Sequence, residues 1–133
     1  MVKELRFKFL EHKADAKFKA FGKTLNQKFE NAAKAMTSIL TEDKIKLKTK
    51  KIIKIKGIDQ KNLLYNFLEE LLFLIDTKSF IPGKIKVKIK DLTLEAELQG
   101  DKIQNYETKS DIKAVTYNQM KITKDFIQVI CDI

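Results

Sequence analysis

Lys84-Ile85-Lys86-Val87-Lys88-Ile89-Lys90-Asp91-Leu92-Thr93-Leu94-Glu95-Ala96-Glu97-Leu98 alternates apolar and polar residues on both sides of a short break at Lys90-Asp91. Period-two alternation puts Ile85, Val87 and Ile89 on one side of a strand and Leu92, Leu94, Ala96 and Leu98 on one side of the next. Two such runs joined by a tight turn predict a β-hairpin with one buried face. On its other face lysines stand opposite glutamates, a favourable cross-strand arrangement. This gives the lysine stripe a structural explanation and argues against reading it as an RNA track.

Working outward, Pro82-Gly83 predicts a turn before the hairpin, and residues 100–110 are polar and loop-like. Upstream, Asp59 can cap a helix running to about residue 76. Leu63, Phe67, Leu71 and Leu74 form one row on it, and Leu64, Leu68, Leu72 and Ile75 an adjacent row. Two adjacent rows make a broad apolar face, so this helix should be deeply buried. An earlier helix should start at Thr24, where Thr24-Leu25-Asn26-Gln27 is a capping-box pattern, and end near Leu40. Its single stripe is Leu25, Phe29, Ala32, Met36 and Leu40, with Lys28, Glu30 and Lys34 off it. Residues 5–9, 16–21, 45–55, 112–122 and 126–130 read as further strands. Runs of strands with two helices among them predict an α+β fold, two helices packed on a mainly antiparallel sheet. A length of 133 residues fits one domain, 1–133.

The charge invites a nucleic-acid reading, since the formal net charge is +9. Yet Arg6 is the only arginine, and arginine is the better residue for bidentate contacts to phosphates and bases. Abundant lysine beside abundant isoleucine fits an overall compositional bias. The N-terminal stretch has no apolar core typical of a signal peptide. No segment approaches the ~20 apolar residues of a membrane span. A lone cysteine, Cys131, excludes an intrachain disulfide and fits a reducing compartment, so a cytoplasmic location with no membrane partner is expected.

Motifs for catalysis are missing. The four glycines, Gly22, Gly57, Gly83 and Gly100, are too far apart for a phosphate-binding loop. One cysteine and one histidine cannot make the usual zinc sets. No nucleophile elbow surrounds Ser38, Ser79 or Ser110, so no enzymatic activity is expected. His12, within Glu11-His12-Lys13-Ala14-Asp15, has two readings: part of a metal or phosphate site, or an organiser of its own loop. At the other end, Asp132 is followed by Ile133, so a side-chain carboxylate and an α-carboxylate sit together. Should a sheet bring Asp15 beside them, three oxygen anions meet. Oxygen ligation suits Ca2+, Mg2+ or Mn2+. The alternative reading of Asp132 is a solvated strand end.

Four ordered segments resemble the archease family. Residues 9–15, Phe-Leu-Glu-His-Lys-Ala-Asp, resemble its EHTAD opening. Gly22-Lys23-Thr24-Leu25 with Phe29-Glu30-Asn31-Ala32-Ala33 resembles its first helix, and residues 63–76 resemble its leucine-rich second helix. Ile112-Lys113-Ala114-Val115-Thr116-Tyr117 and the final Cys131-Asp132-Ile133 resemble its closing motifs. Lys13 replaces the family's usual threonine, Ala16-Lys17 its usual Ile-Gly, and Asn118 a common histidine. The resemblance implies an accessory protein of the GTP-dependent tRNA-splicing RNA ligase, one that promotes ligase guanylylation and multiple turnover. It implies a divalent-metal site, Ca2+ first with Mg2+ or Mn2+ as alternatives, at Asp15, Asp132 and Ile133. Lys113 matches a motif lysine near the same edge and, with His12, is a candidate contact for phosphate or the partner. RNA would be met through the ligase. A basic RNA-binding or RNA-chaperone module is the alternative, and a small hydrolase using His12 a third reading.

Overall fold

The computed structural model describes residues 5–11 and 14–133. In chain order they form β1 (Phe7–Leu10), β2 (Asp15–Phe21), α1 (Leu25–Leu40), β3 (Thr49–Lys56), α2 (Gln60–Lys78), β4 (Phe80–Lys90), β5 (Thr93–Lys102), a 3-10 turn (Ile103–Asn105), β6 (Ala114–Ile122) and β7 (Phe126–Asp132). Every strand pairing is antiparallel. The α+β reading therefore holds, with one addition: the strands divide into two sheets, ordered β1-β2-β7-β6 and β3-β5-β4.

Both helices start where their caps sit. Thr24 Oγ1 accepts from the Gln27 amide at 3.1 Å, and Asp59 Oδ1 accepts from the Asn62 amide at 2.8 Å. Each bond satisfies one of the amides that a helix start leaves without a partner. α2 stops at Ser79, which takes a left-handed φ of 55° and returns its N–H to the Leu74 carbonyl. All eight residues of the two α2 rows are buried. Full burial of an aliphatic or aromatic side chain contributes about 1.5–3 kcal/mol, so this helix is a large share of the core. That core is continuous, joining Phe18, Ile127 and Val129 of the first sheet through Phe29, Met36, Phe67 and Leu71 of the helices to Val87, Leu94 and Leu98 of the second.

The hairpin register follows the alternation. Ile85 faces Leu98, Val87 faces Ala96 and Ile89 faces Leu94, while Lys86 faces Glu97 and Lys88 faces Glu95. Asp91 turns the chain at φ 56°, a conformation aspartate tolerates better than most residues. The other edge of β4 is closed by α1: Val87 N donates to Glu30 Oε2 at 2.7 Å and Ile89 N to Asn26 Oδ1 at 3.0 Å. Capping these amides leaves β4 without the open edge that invites pairing with another chain.

Several sequence expectations change. Pro82-Gly83 is no turn: β4 begins at Phe80, and the register slips by one residue between Pro82 and Lys84, a β-bulge. An edge strand accommodates a proline there because a bulge residue needs no ladder N–H. β5 extends through Lys102 where a loop was expected, as it must to pair with the start of β4. Residues 45–48 stay outside β3; Lys46 N bonds instead to the Tyr106 hydroxyl at 2.8 Å. The first strand starts at Phe7 rather than at residue 5. Lys28, expected off the apolar stripe, is 6% exposed. Its ammonium donates to the carbonyls of Thr123 at 2.6 Å and Lys124 at 3.0 Å, which makes burial of the charge tolerable.

Candidate functional site

β2 and β7 are neighbours in the four-stranded sheet, and their register decides where the acidic residues meet. Ala16, Phe18 and Ala20 stand opposite Cys131, Val129 and Ile127, and this set is turned to the core. Burial of that set fixes the register, since a one-residue slip would turn every inward side chain outward. The same register then places Asp15 directly opposite Asp132. Directly opposed residues have Cβ atoms about 4.5–5.5 Å apart and share a face, and like charges in that position repel. Asp132 is exposed and Asp15 half-buried.

A third strand closes the corner. Ala114 of β6 stands opposite Asp132 from the other side, and Lys113 N donates to the Asp132 carbonyl at 2.7 Å. Lys113 is thus anchored through its backbone beside the carboxylate pair, with the residue itself exposed. Ile133, the residue after β7, is 39% exposed. Ala14, just before Asp15, holds a left-handed φ of 58°, a conformation that costs a residue with a Cβ about 1–2 kcal/mol. So Asp15, Asp132, Lys113 and Ile133 come to one end of one sheet. His12 lies outside the described residues. Among the described residues no three His, Cys, Asp or Glu side chains form a metal-holding cluster. The donors here are the two side-chain carboxylates, oxygen ligands of the kind hard divalent cations take, with Ile133 next to Asp132 in the chain.

Cys131 lies on the opposite face, fully buried. Burial pushes its thiol up to about 12, with the Glu69 and Asp132 carboxylates adding to the effect. A thiol so raised stays neutral near pH 7 and is a poor nucleophile and metal ligand. Glu69 also accepts from the Tyr65 hydroxyl, which raises that phenol above its usual range. Tyr65 in turn stacks on Tyr117 of β6 at 4.4 Å between ring centres, and Asn62 Nδ2 donates to the Tyr117 hydroxyl at 2.9 Å. This surface cluster joins α2 to β6 and was not anticipated. The one local signal for it is the i, i+4 spacing of Tyr65 and Glu69, which lie outside the two apolar rows of the helix.

Tyr117 is followed by the irregular part of β6. Pairing with β7 breaks between Thr116 and Lys121, and Gln119 sits at φ 54°. The buried Gln128 side chain fills the break, donating to the Gln119 carbonyl at 2.8 Å. Asn118, in that segment, is exposed. No helix among the described residues is long and apolar enough to cross a membrane.

Comparison with known proteins agrees with this arrangement of segments. The profile of the Archease protein family (MTH1598/TM1083) matches residues 7–133. The chain is 40% identical over 122 residues to a protein archease of Sulfurisphaera tokodaii, covering 88% of each chain. To a protein archease of Pyrococcus abyssi it is 35% identical over 126 residues, 90% of this chain and 89% of that one. The solution structure of Methanobacterium thermoautotrophicum protein 1598 superposes with a TM-score of 0.74 at 30% identity, covering 96% of this chain and 99% of that one. A match across both sheets and both helices, from β1 to the residue after β7, places the chain in the archease family.

Proposed function

We propose that this chain is an accessory protein of the GTP-dependent tRNA-splicing RNA ligase, promoting its guanylylation and repeated turnover without joining RNA itself. The observation that carries the reading is the Asp15–Asp132 pair at the sheet end of a chain in the archease family. Asp15, Asp132 and the main chain of Ile133 would hold one divalent cation, Ca2+ first, with Mg2+ or Mn2+ as alternatives. Bound there, the ion supplies positive charge among the carboxylates. The chain's own contribution is to hold two carboxylates on adjacent strands, so their spacing is set by the ladder rather than by flexible loops. Lys113, whose amide is tied to the Asp132 carbonyl, is an exposed residue beside the carboxylate pair. There it would meet a phosphate or a carboxylate of the ligase. His12 is kept as a second candidate contact. The site of action is the cytoplasm, and the carboxylate corner meets RNA through the ligase.

The test is multiple-turnover ligation of tRNA halves by the cognate ligase, with this chain present at less than one equivalent. Joined product per ligase should rise above one, and covalent guanylate on the ligase should accumulate faster. The chain alone should join nothing. Asp15→Ala or Asp132→Ala should abolish stimulation while thermal unfolding stays cooperative. Unchanged ligase turnover in the presence of the wild-type chain refutes the reading.

A further inference from the structure

The hairpin alone offers a balanced face, lysines opposite glutamates. Strand order changes that balance. β5 is central, and β3 lies along its other edge with a second set of lysines. Four rows cross the outer face: Lys50–Gln99–Lys84, Ile52–Glu97–Lys86, Lys54–Glu95–Lys88 and Lys56–Thr93–Lys90. Seven lysines therefore flank two glutamates, a net charge of +5 on one sheet face. That is more than half of the chain's formal +9.

The lysines form two rails, on β3 and β4. Adjacent strands are about 4.8 Å apart, so the rails are about 10 Å apart, and successive outward residues on one rail are about 6.8 Å apart. All seven lysines are exposed. Among the described residues, the one ion pair on this face is Lys50 Nζ to Glu97 at 2.7 Å. The Lys50 bond, with the fields of Lys86 and Lys84 adding, holds the Glu97 carboxyl below its usual range. The remaining cations outnumber the available carboxylates, so Lys–Glu pairing cannot account for the face.

We propose that this outer face of the three-stranded sheet is a docking platform for the phosphodiester backbone of RNA. Charge complementarity decides the occupant. Protein interfaces are anchored by buried Trp, Tyr and Arg; none stands among these twelve outward positions, where Ile52 is the one large apolar side chain. The face likewise has no aromatic residue on which a base could stack. It should therefore read the backbone without reading sequence. The choice of RNA over DNA rests on the ligase reading; the electrostatic argument is independent of it. Asp15 and Asp132 belong to the other sheet, so the carboxylate corner and the lysine face can be altered separately.

The test is fluorescence anisotropy with a labelled single-stranded RNA of about 20 nucleotides and no ligase present. Neutralising about five phosphates on a single strand gives a salt slope near −3.5, so affinity should fall about 100-fold from 50 to 200 mM salt. Lys54→Glu, Lys86→Glu and Lys88→Glu together should weaken binding at least about 30-fold at the lower salt. Lys61→Glu, Lys121→Glu and Lys124→Glu together make the same charge change on exposed lysines elsewhere and should weaken it less than about 3-fold. If the charge reversal fails to fold, the Lys→Gln triple at 54, 86 and 88 decides, and its salt slope should shrink by about 2. No RNA binding by the wild-type chain, equal loss in both triples, or tighter binding to polyglutamate than to RNA overturns the proposal. The last result would assign the face to an acidic protein instead. Ligase stimulation is measured in parallel, so absence of RNA binding by a wild-type chain that still stimulates the ligase refutes this face and leaves the ligase reading standing.

Discussion

Asp132→Asn should have opposite effects with and without a divalent cation. The register puts Asp132 opposite Asp15, and two like charges about 5 Å apart at an exposed surface repel by about 1 kcal/mol. Asparagine keeps the shape and removes one charge, so in EDTA the variant should be more stable than wild type by up to about 1 kcal/mol. For a chain of 133 residues, with an unfolding entropy of about 2.1 cal/mol/K per residue, that is a rise in Tm of about 3–4 °C. Calcium reverses the order. At a free concentration about 100 times its Kd it should stabilise the wild type by about 2.7 kcal/mol. That is roughly a further 9–10 °C by the same conversion, and the variant should gain little of it. Differential scanning fluorimetry in EDTA and across a calcium titration reads both effects, with ligase stimulation measured on the same samples. A variant less stable than wild type in EDTA would show that Asp132 holds structure through a favourable contact. A full calcium shift in the variant would refute the carboxylate pair as the ion's site.

Three further outcomes follow from packing and titration. Gly100→Ala should lower stability by about 1–3 kcal/mol, because the added Cβ would run into the Ile81 carbonyl across the bulge; urea unfolding checks it. Lys28→Met keeps the apolar stem but strips the Thr123 and Lys124 carbonyls of their donor, and should cost about 1.5–3 kcal/mol by the same assay. The Asp101 carboxyl is held below its usual range first by the Tyr106 hydroxyl, and further by the Lys102 amide, the Asn105 side chain and Lys48, against the opposing effect of burial. Its contribution to stability is therefore present above the ordinary carboxylate pKa of about 3.9 and is lost as pH falls through the lower folded value. Tyr106→Phe should move the acid-unfolding midpoint to higher pH; a midpoint unchanged or lowered would refute the assignment.

The helices and the hairpin were legible in the sequence because the information for them is local. A cap and a stripe of period 3.6 lie within one helix, and alternation of period two lies within one strand, so Thr24, Asp59, the leucine rows of α2 and Ile85–Leu98 pairing could be read directly. The bulge at Pro82-Gly83 was misread for the same reason: a Pro-Gly pair signals a turn locally, and only pairing with Gly100 and Gln99 shows a continuing strand. Likewise Lys28 has no local reason to be buried; its partners are carbonyls of the distant β6–β7 turn.

Partner choice among strands is what only the tertiary structure decided. Asp15 and Asp132 carried a conditional reading from sequence, dependent on a sheet that would bring them together. Burial of Phe18, Ala20, Ile127 and Val129 in one core sets the β2–β7 register, and with it the facing carboxylates. The lysine face arises in the same way. Each strand separately looks like an ordinary solvated edge or a balanced hairpin, and the excess charge exists only once β3 pairs with β5 rather than with another strand. Such choices depend on which apolar faces can be buried together when the whole chain closes, and a window of neighbouring residues does not contain that information.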